Sequence, residues 1–231
     1  MSEPCRPRVA IVDYGMGNLF SVKHACEAVG LSAFVTSDRT AVCAADAVIV
    51  PGVGAFGDAM ATLRRLDLVS PLRDIAAAGR PIIGVCLGLQ LFMSESEEFG
   101  RHVGFGFFTG PVVRFNQPRG ASKILKVPQV GWNRIQPSAG AASWMQWPLT
   151  GLVAGEFMYF VHSFYAQPAD PGVVLSTSRY GHIDFCSSVL KENIFACQFH
   201  PERSGPEGLK IYRNIATHIH ATCHRRNGAS V

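Results

Sequence analysis

No apolar run in the 231 residues approaches the roughly 20 that a membrane helix needs, and Met1 to Arg8 holds no apolar stretch fit for a signal peptide. A cytosolic chain is therefore expected. The seven cysteines, Cys5, Cys26, Cys43, Cys86, Cys186, Cys197 and Cys223, are odd in number and include no Cys-x-x-Cys pair. That argues against a disulfide framework and a zinc ribbon alike. Free thiols are expected, with Cys26, Cys43 and Cys197 read as small buried apolar residues. Charge is scarce: 16% of residues, 21 basic against 17 acidic, with no basic stripe interleaved with aromatics. Nucleic acid is not an expected partner. The His224, Arg225, Arg226 cluster reads as a frayed, solvated tail. Repeats and low-complexity tracts are missing, and the 14 Pro and 23 Gly are spread rather than bunched. What is plentiful is apolar surface, 48% of residues, enough at this length to bury a full core. The expectation is a single domain over residues 1–231, with a core of about residues 8–220 and flexible termini.

The first half alternates short apolar runs with stretches of helical period, as parallel strands joined by crossover helices do. Arg8 to Asp13, Leu31 to Thr36, Ala47 to Val50 and Pro81 to Val85 read as strands. Between them, Gly17 to Gly30 carries Leu19, Val22, Cys26 and Val29 near one helical face, and Asp58 to Ala78 is helical with a possible break before Pro71. After Gly100 the runs shorten to period two, predicting an antiparallel or mixed extension of the sheet. A strand over Ile194 to Phe199 and a helix from about Pro206, striped by Leu209, Tyr212, Ile215, Ala216 and Ile219, close the chain. The predicted architecture is a three-layer α/β sandwich.

The strand Pro81 to Val85 runs directly into Gly84-Val85-Cys86-Leu87-Gly88 and the helical Leu89 to Phe92, which has the form of a nucleophile elbow. Glycines two positions either side of the nucleophile are needed because side chains there would collide across the bend. A cysteine at that point lies at a helix N-terminus, where free N–H groups favour the thiolate. Cys86 is the candidate nucleophile. His200 follows a buried strand, and Pro201 stiffens a turn that can bring Glu202 to its far ring nitrogen. A carboxylate there would fix the tautomer of the base, completing a Cys86, His200, Glu202 triad. His162 has no carboxylate within two positions and reads as a wall of the pocket.

Pro51-Gly52-Val53-Gly54-Ala55-Phe56-Gly57 formally satisfies GxGxxG, but it follows the third strand and no acidic residue ends the next one. A dinucleotide is not expected. Beside a thiol nucleophile such a loop can turn backbone N–H groups toward a developing oxyanion. The Val53–Gly54 peptide and the Leu87 N–H are the candidates. The turn Asp13-Tyr14-Gly15-Met16-Gly17-Asn18 reads equally as a tight connection or a binding element.

Gly84-Val85-Cys86-Leu87-Gly88-Leu89-Gln90 with Phe199-His200-Pro201-Glu202 resembles the class I, or triad, glutamine amidotransferases. Together with Asp13 to Asn18, Pro51 to Phe56, Gly131-Trp132-Asn133 and Tyr159 to Ser163, the pattern is similar to the glutaminase subunits of imidazole glycerol phosphate synthases, over about residues 8–220. The resemblance implies a flavodoxin-like fold with a mostly parallel central sheet and a triad that releases ammonia from glutamine through a glutamyl thioester on Cys86. It implies glutamine held by Gly52, Gln90, His162, Ser163 and Phe164. It also implies a partner, a (β/α)8-barrel cyclase that receives the ammonia, docked near Asn18, Trp132 and Tyr159. No cofactor and no metal are implied. Gln129, Val130 and Phe164 depart from the family's usual residues, and the segments at residues 116–122 and 137–150 are longer than usual. Three other readings stay open: a paralogous glutaminase feeding another synthase, such as one acting on a nucleotide-linked or surface sugar; a peptidase or γ-glutamyl hydrolase; and a catalytically silent scaffold subunit.

Overall fold

The computed structural model describes residues 6–121, 124–138, 144 and 147–228. Strand β1 (Arg8–Val12) leads through helix α1 (Leu19–Ala28) to β2 (Ser32–Thr36), then α2 (Arg39–Ala44), β3 (Ala47–Gly52), α3 (Phe56–Arg65), α4 (Val69–Ala77), β4 (Ile82–Cys86) and α5 (Leu87–Phe92). Strands β1, β3 and β4 are almost wholly buried, as strands covered by helices on both faces must be. Asn18 caps α1 by accepting the Ser21 N–H at 3.2 Å, and Gly30 stops the helix at φ +86°. Helix α2, which periodicity alone does not announce, is capped by Asp38, whose carboxylate accepts the Ala41 N–H at 2.7 Å. Its buried residue is Val42, so Cys43 lies on the outer face and is exposed, contrary to the expectation of burial. The helical stretch is broken before Pro71, as expected, between Arg65 and Val69, with Asp67 at φ 53°. That proline sits in the first turn of α4, where its missing N–H costs nothing.

The chain continues through β5 (Met93–Ser96), β6 (His102–Val103), β7 (Phe108–Arg114), β8 (Gln129–Arg134), β9 (Gln136–Pro137), β10 (Phe157–His162) and β11 (Phe164–Ala166). It closes with β12 (Val174–Tyr180), β13 (Ile183–Lys191), β14 (Ile194–Cys197) and α6 (Gly205–Gly228). The central sheet has the order β2-β1-β3-β4-β14-β13-β12-β9. Its first five strands are parallel, and β13, β12 and β9 add the predicted antiparallel extension. The rest of the second half does not join it. Strands β11-β7-β5-β6 make a separate four-stranded sheet, and β10-β8 a two-stranded ladder. Two buried clusters flank the central sheet, one including Phe56, Met60, Leu63 and Phe92, the other including Phe160, Phe199, Tyr212 and Ile219. This is the expected three-layer α/β sandwich. The final helix carries its apolar stripe as predicted, with Leu209 only half-buried, and it extends through His224 and Arg225 where a frayed tail was expected. Arg225 donates to the Thr222 hydroxyl at 3.1 Å, which ties the last turn to the one before. Cys5, the chain termini and parts of the segments at 116–122 and 137–150 lie outside the described residues.

Candidate active site

Strand β4 ends at Cys86, whose backbone stands at φ 55°, ψ −103°, at the N-cap of α5. A β-carbon-bearing residue held there stores strain, which the flanking glycines make possible. A Cβ on Gly84 would lie 2.8 Å from the Gly88 carbonyl carbon, across the bend as expected. At Gly88 the obstacle is different: its Cβ would lie 1.9 Å from the Val50 carbonyl oxygen on the neighbouring strand β3. The second glycine therefore serves the approach of α5 to the sheet.

Beyond the end of β14, a 3-10 turn at Pro201–Arg203 folds Glu202 back so that its Oε1 lies 2.7 Å from His200 Nδ1. Both side chains are almost fully buried, so this is no surface ion pair. The carboxylate can only accept, so Nδ1 carries a proton and the other ring nitrogen, Nε2, is the one turned to Cys86. The main chain of His200 is pinned as well: its N–H donates to the Tyr159 carbonyl at 2.9 Å, and its carbonyl accepts from the Ser204 hydroxyl at 2.7 Å. Burial disfavours the imidazolium, but the charges of Cys86 and Glu202 outweigh it and raise His200 to about 10. At the buried thiols Cys26 and Cys186, burial is the largest influence and pushes both up to about 12, in keeping with inert core residues.

Cys86 opens into a cavity of about 220 Å³ lined by Val53, Gly54, Leu87, Gln90, Glu98, Pro128, Val161 and the His162, Ser163, Phe164 wall. Most of the predicted pocket residues thus meet there. Gly52 is outside the lining: a Cβ on it would lie 1.9 Å from the Tyr14 hydroxyl oxygen, so its role is to let Tyr14 approach. Gly54, at φ +123°, occupies backbone space that favours glycine, beside the cavity. His162 is a satisfied wall residue at one nitrogen, with Nδ1 donating to the Phe164 carbonyl at 2.8 Å. Burial holds it neutral down to about 4. The same carbonyl accepts from Gln90 Nε2 at 2.9 Å. Of the departures, Gln129 is buried opposite His162 on β8, Val130 is 60% exposed, and Phe164 lines the cavity.

Three further residues belong to the site and were not assigned from sequence. Glu98 is a buried carboxylate on the cavity wall, with Oε2 accepting the Phe56 N–H at 2.6 Å. Tyr14 donates to the Pro51 carbonyl at 2.6 Å. Gln198, fully buried, places its amide 3.5 Å from the Cys86 sulfur. Tyr14 lies in the Asp13 to Asn18 turn and Gln198 two residues before His200, which could have pointed to them; nothing in the sequence marks Glu98. Among the described residues no cluster of His, Cys, Asp and Glu could hold a metal ion.

Trp132 and Tyr159 face each other across the β8–β10 ladder with ring centroids 6.1 Å apart, and the Arg203 guanidinium lies 4.1 Å from the Tyr159 ring. With Val130 and Phe157, also on this ladder, Trp132 leaves large apolar surface exposed. Asn18 is exposed at the start of α1, its side chain engaged in the cap. Among the described residues no helix is long and apolar enough to cross a membrane.

The family model for class-I glutamine amidotransferases matches residues 10–219. Similar proteins include the imidazole glycerol phosphate synthase subunits HisH of Rhodopirellula baltica, 44% identical, and of Syntrophotalea carbinolica, 46% identical; the matches cover 90% of this chain and 97% and 98% of those. The HisH subunit of Aquifex aeolicus is 44% identical over 90% of this chain and 95% of its own. In fold, the chain is similar to a solved glutamine amidotransferase (TM-score 0.67, 18% identity, 92% of this chain and 98% of that one) and to PurLQS of Thermotoga maritima (TM-score 0.70, 19% identity, 93% and 100%). A strained cysteine beside a buried His–Glu pair, in a chain this similar, places the protein in the class-I glutamine amidotransferase family, with the HisH subunits of imidazole glycerol phosphate synthase.

Proposed function

We propose that this chain is the glutaminase subunit of an imidazole glycerol phosphate synthase, hydrolysing glutamine to glutamate and ammonia for a cyclase partner. The observation that carries the reading is the elbow cysteine, Cys86 at φ 55°, opening into a cavity beside the 2.7 Å His200–Glu202 pair.

Cys86 thiolate attacks the side-chain carboxamide carbon of glutamine; a C–S bond forms and the carbonyl π electrons move to oxygen. The Leu87 N–H and the Val53–Gly54 peptide stabilise that oxyanion, an assignment supported by their place on the cavity wall and by the glycine-favoured φ of Gly54. As the C–N bond breaks, His200 imidazolium gives its Nε2 proton to the departing nitrogen, which leaves as ammonia. The neutral ring then takes a proton from water, hydroxide attacks the thioester, and the C–S bond breaks to return thiolate and glutamate. Glu202 stabilises each imidazolium and keeps Nε2 turned to the reaction.

The cavity also supports a binding mode. A free amino acid brings an α-ammonium, and Glu98 is the cavity's carboxylate. Both Gln90 amide hydrogens are engaged, by Phe164 and Gln198, so Gln90 offers glutamine its oxygen as an acceptor. Ser163 and Phe164 complete the wall. Free ammonia would be protonated at neutral pH and lose its nucleophilic lone pair, so it must pass directly to the acceptor enzyme. The exposed apolar ladder of Val130, Trp132 and Phe157 lies next to the triad through Tyr159, whose ring is 6.3 Å from that of His200. That is a fitting dock for a (β/α)8-barrel cyclase in a cytoplasmic heterodimer that forms imidazole glycerol phosphate and aminoimidazole carboxamide ribotide in histidine biosynthesis. The test is glutamate release from glutamine by this chain alone and with the cyclase loaded with its nucleotide substrate. Strong, Cys86-dependent stimulation is expected; Cys86-dependent turnover indifferent to the cyclase would point to another acceptor enzyme.

A further inference from the structure

Cys86 sulfur has two contacts besides the histidine. The Val161 carbonyl lies 3.8 Å away and can accept from the thiol but repels the thiolate. The Gln198 side-chain amide lies 3.5 Å away, and its orientation is dictated by a chain of hydrogen bonds that begins at main chain. The Phe164 carbonyl can only accept, so the Gln90 group facing it at 2.9 Å must be the NH2. That same NH2 faces Gln198 at 3.1 Å, so Gln198 must present its oxygen there and its own NH2 to the sulfur. Turning Gln90 over would set oxygen against oxygen, and turning Gln198 over would set NH2 against NH2. Gln198 is fully buried, its backbone N–H is tied to the Ser187 carbonyl at 2.9 Å, and it stands one residue past the end of β14, beside the end of β4 that carries Cys86.

From this relay we infer that Gln198 is a fixed, uncharged donor to the Cys86 thiolate and that Gln90 is its positioning residue. The inference rests on the glutaminase reading and assigns a task that the triad cannot perform. His200 surrenders its proton to ammonia in the first half-reaction and its charge with it, whereas an amide donor does not titrate. Gln198 therefore holds the sulfur as attacking thiolate and again as the group expelled from the thioester. Buried and undisturbed by water, a donor to a charged acceptor contributes about 1.5–3 kcal/mol, roughly ten- to hundredfold in rate.

The experiment is iodoacetamide alkylation of Cys86, followed across pH by peptide mass spectrometry, alongside glutaminase kinetics of the complex with the cyclase. Gln198→Leu is expected to slow Cys86 alkylation about tenfold at neutral pH, to move the rate profile to higher pH, and to lower kcat at least about tenfold with KM for glutamine changed less than about twofold. Gln198→Glu, which sets an acceptor against the sulfur, is expected to be worse at neutral pH and not to rescue. Gln90→Leu, which frees the Gln198 amide to turn, is expected to shift the alkylation profile in the same direction. A folded, cyclase-binding Gln198→Leu with the unmodified chain's alkylation profile and kcat would overturn the inference. Were that variant not to fold, an unchanged profile in Gln90→Leu would do so. Alkylation needs no glutamine, so failure of the glutaminase reading would appear separately, as an unmodified complex without glutamate release.

Discussion

The Tyr14 hydroxyl donates to the Pro51 carbonyl at 2.6 Å, and its oxygen fills the space that a Cβ on Gly52 would need. Two turns far apart in sequence are thereby packed into one unit: Met16 lies under Gly54 and the Gly52 main chain under Gly17. Burial holds the Tyr14 phenol far above its usual range, so it remains a donor at every working pH. Tyr14→Phe is expected to cost about 1 kcal/mol of stability and, by loosening the Val53–Gly54 peptide, to lower kcat about tenfold with little change in KM. Steady-state glutamate release and thermal melting read the two effects; loss of stability with full kcat would confine Tyr14 to packing.

Strain at Cys86 can be measured apart from chemistry. Cys86→Ala and Cys86→Gly both remove the thiol and should abolish glutamine hydrolysis while cyclase binding persists, but only glycine relaxes at φ 55°. The net gain of glycine over alanine is expected to be about 1 kcal/mol, the strain relieved less the extra chain entropy. A melting temperature for Cys86→Gly a few degrees above that of Cys86→Ala is the expected result; the reverse order would show that the elbow stores no strain.

Glu98→Gln keeps an acceptor for the Phe56 N–H but removes the negative charge from the cavity wall. Glutamine binding should weaken, with KM raised about tenfold or more and kcat little changed, each tenfold being about 1.4 kcal/mol. Equal KM values would mean that the α-ammonium is held elsewhere.

Stability should fall on both sides of neutrality. His162, held neutral by burial down to about 4 when folded, binds a proton more readily in the unfolded chain, whose histidines titrate near ~6.5. Its contribution is complete above ~6.5 and is lost as pH falls toward 4, a loss on the order of 3 kcal/mol. His200 has the opposite sign: raised to about 10, it contributes fully below ~6.5 and loses that contribution as pH rises toward 10. Melting curves across pH should show His162→Asn flattening the acid limb and Cys86→Ala the alkaline limb.

Much of this molecule was legible in the chain. Runs such as Arg8 to Val12 and Ile82 to Cys86 are apolar throughout because helices cover both faces of the sheet, and the glycines around Cys86 disclose the elbow because no other residue fits there. His200 and Glu202 are two residues apart, so a local turn suffices to pair them. Elsewhere short-range patterning was too weak. Helix α2 is six residues long and declares itself only through Asp38, and the strands after Gly100 read alike whether they join the central sheet or form sheets of their own. Cys43 and Cys26 look equivalent as letters, yet one faces solvent and the other the core.

The sequence by itself singled out Cys86, His200 and Glu202 as the candidate triad, because strand-to-turn steric demands and a two-residue spacing are local. Only the tertiary structure decided what surrounds them. Gln198 reaches the sulfur because β14 lies beside β4, Glu98 reaches the cavity from the chain beyond α5, and Tyr14 underpins a loop 37 residues away. Those contacts are set by which strands become neighbours, and that follows from burying the two faces of the whole sheet at once.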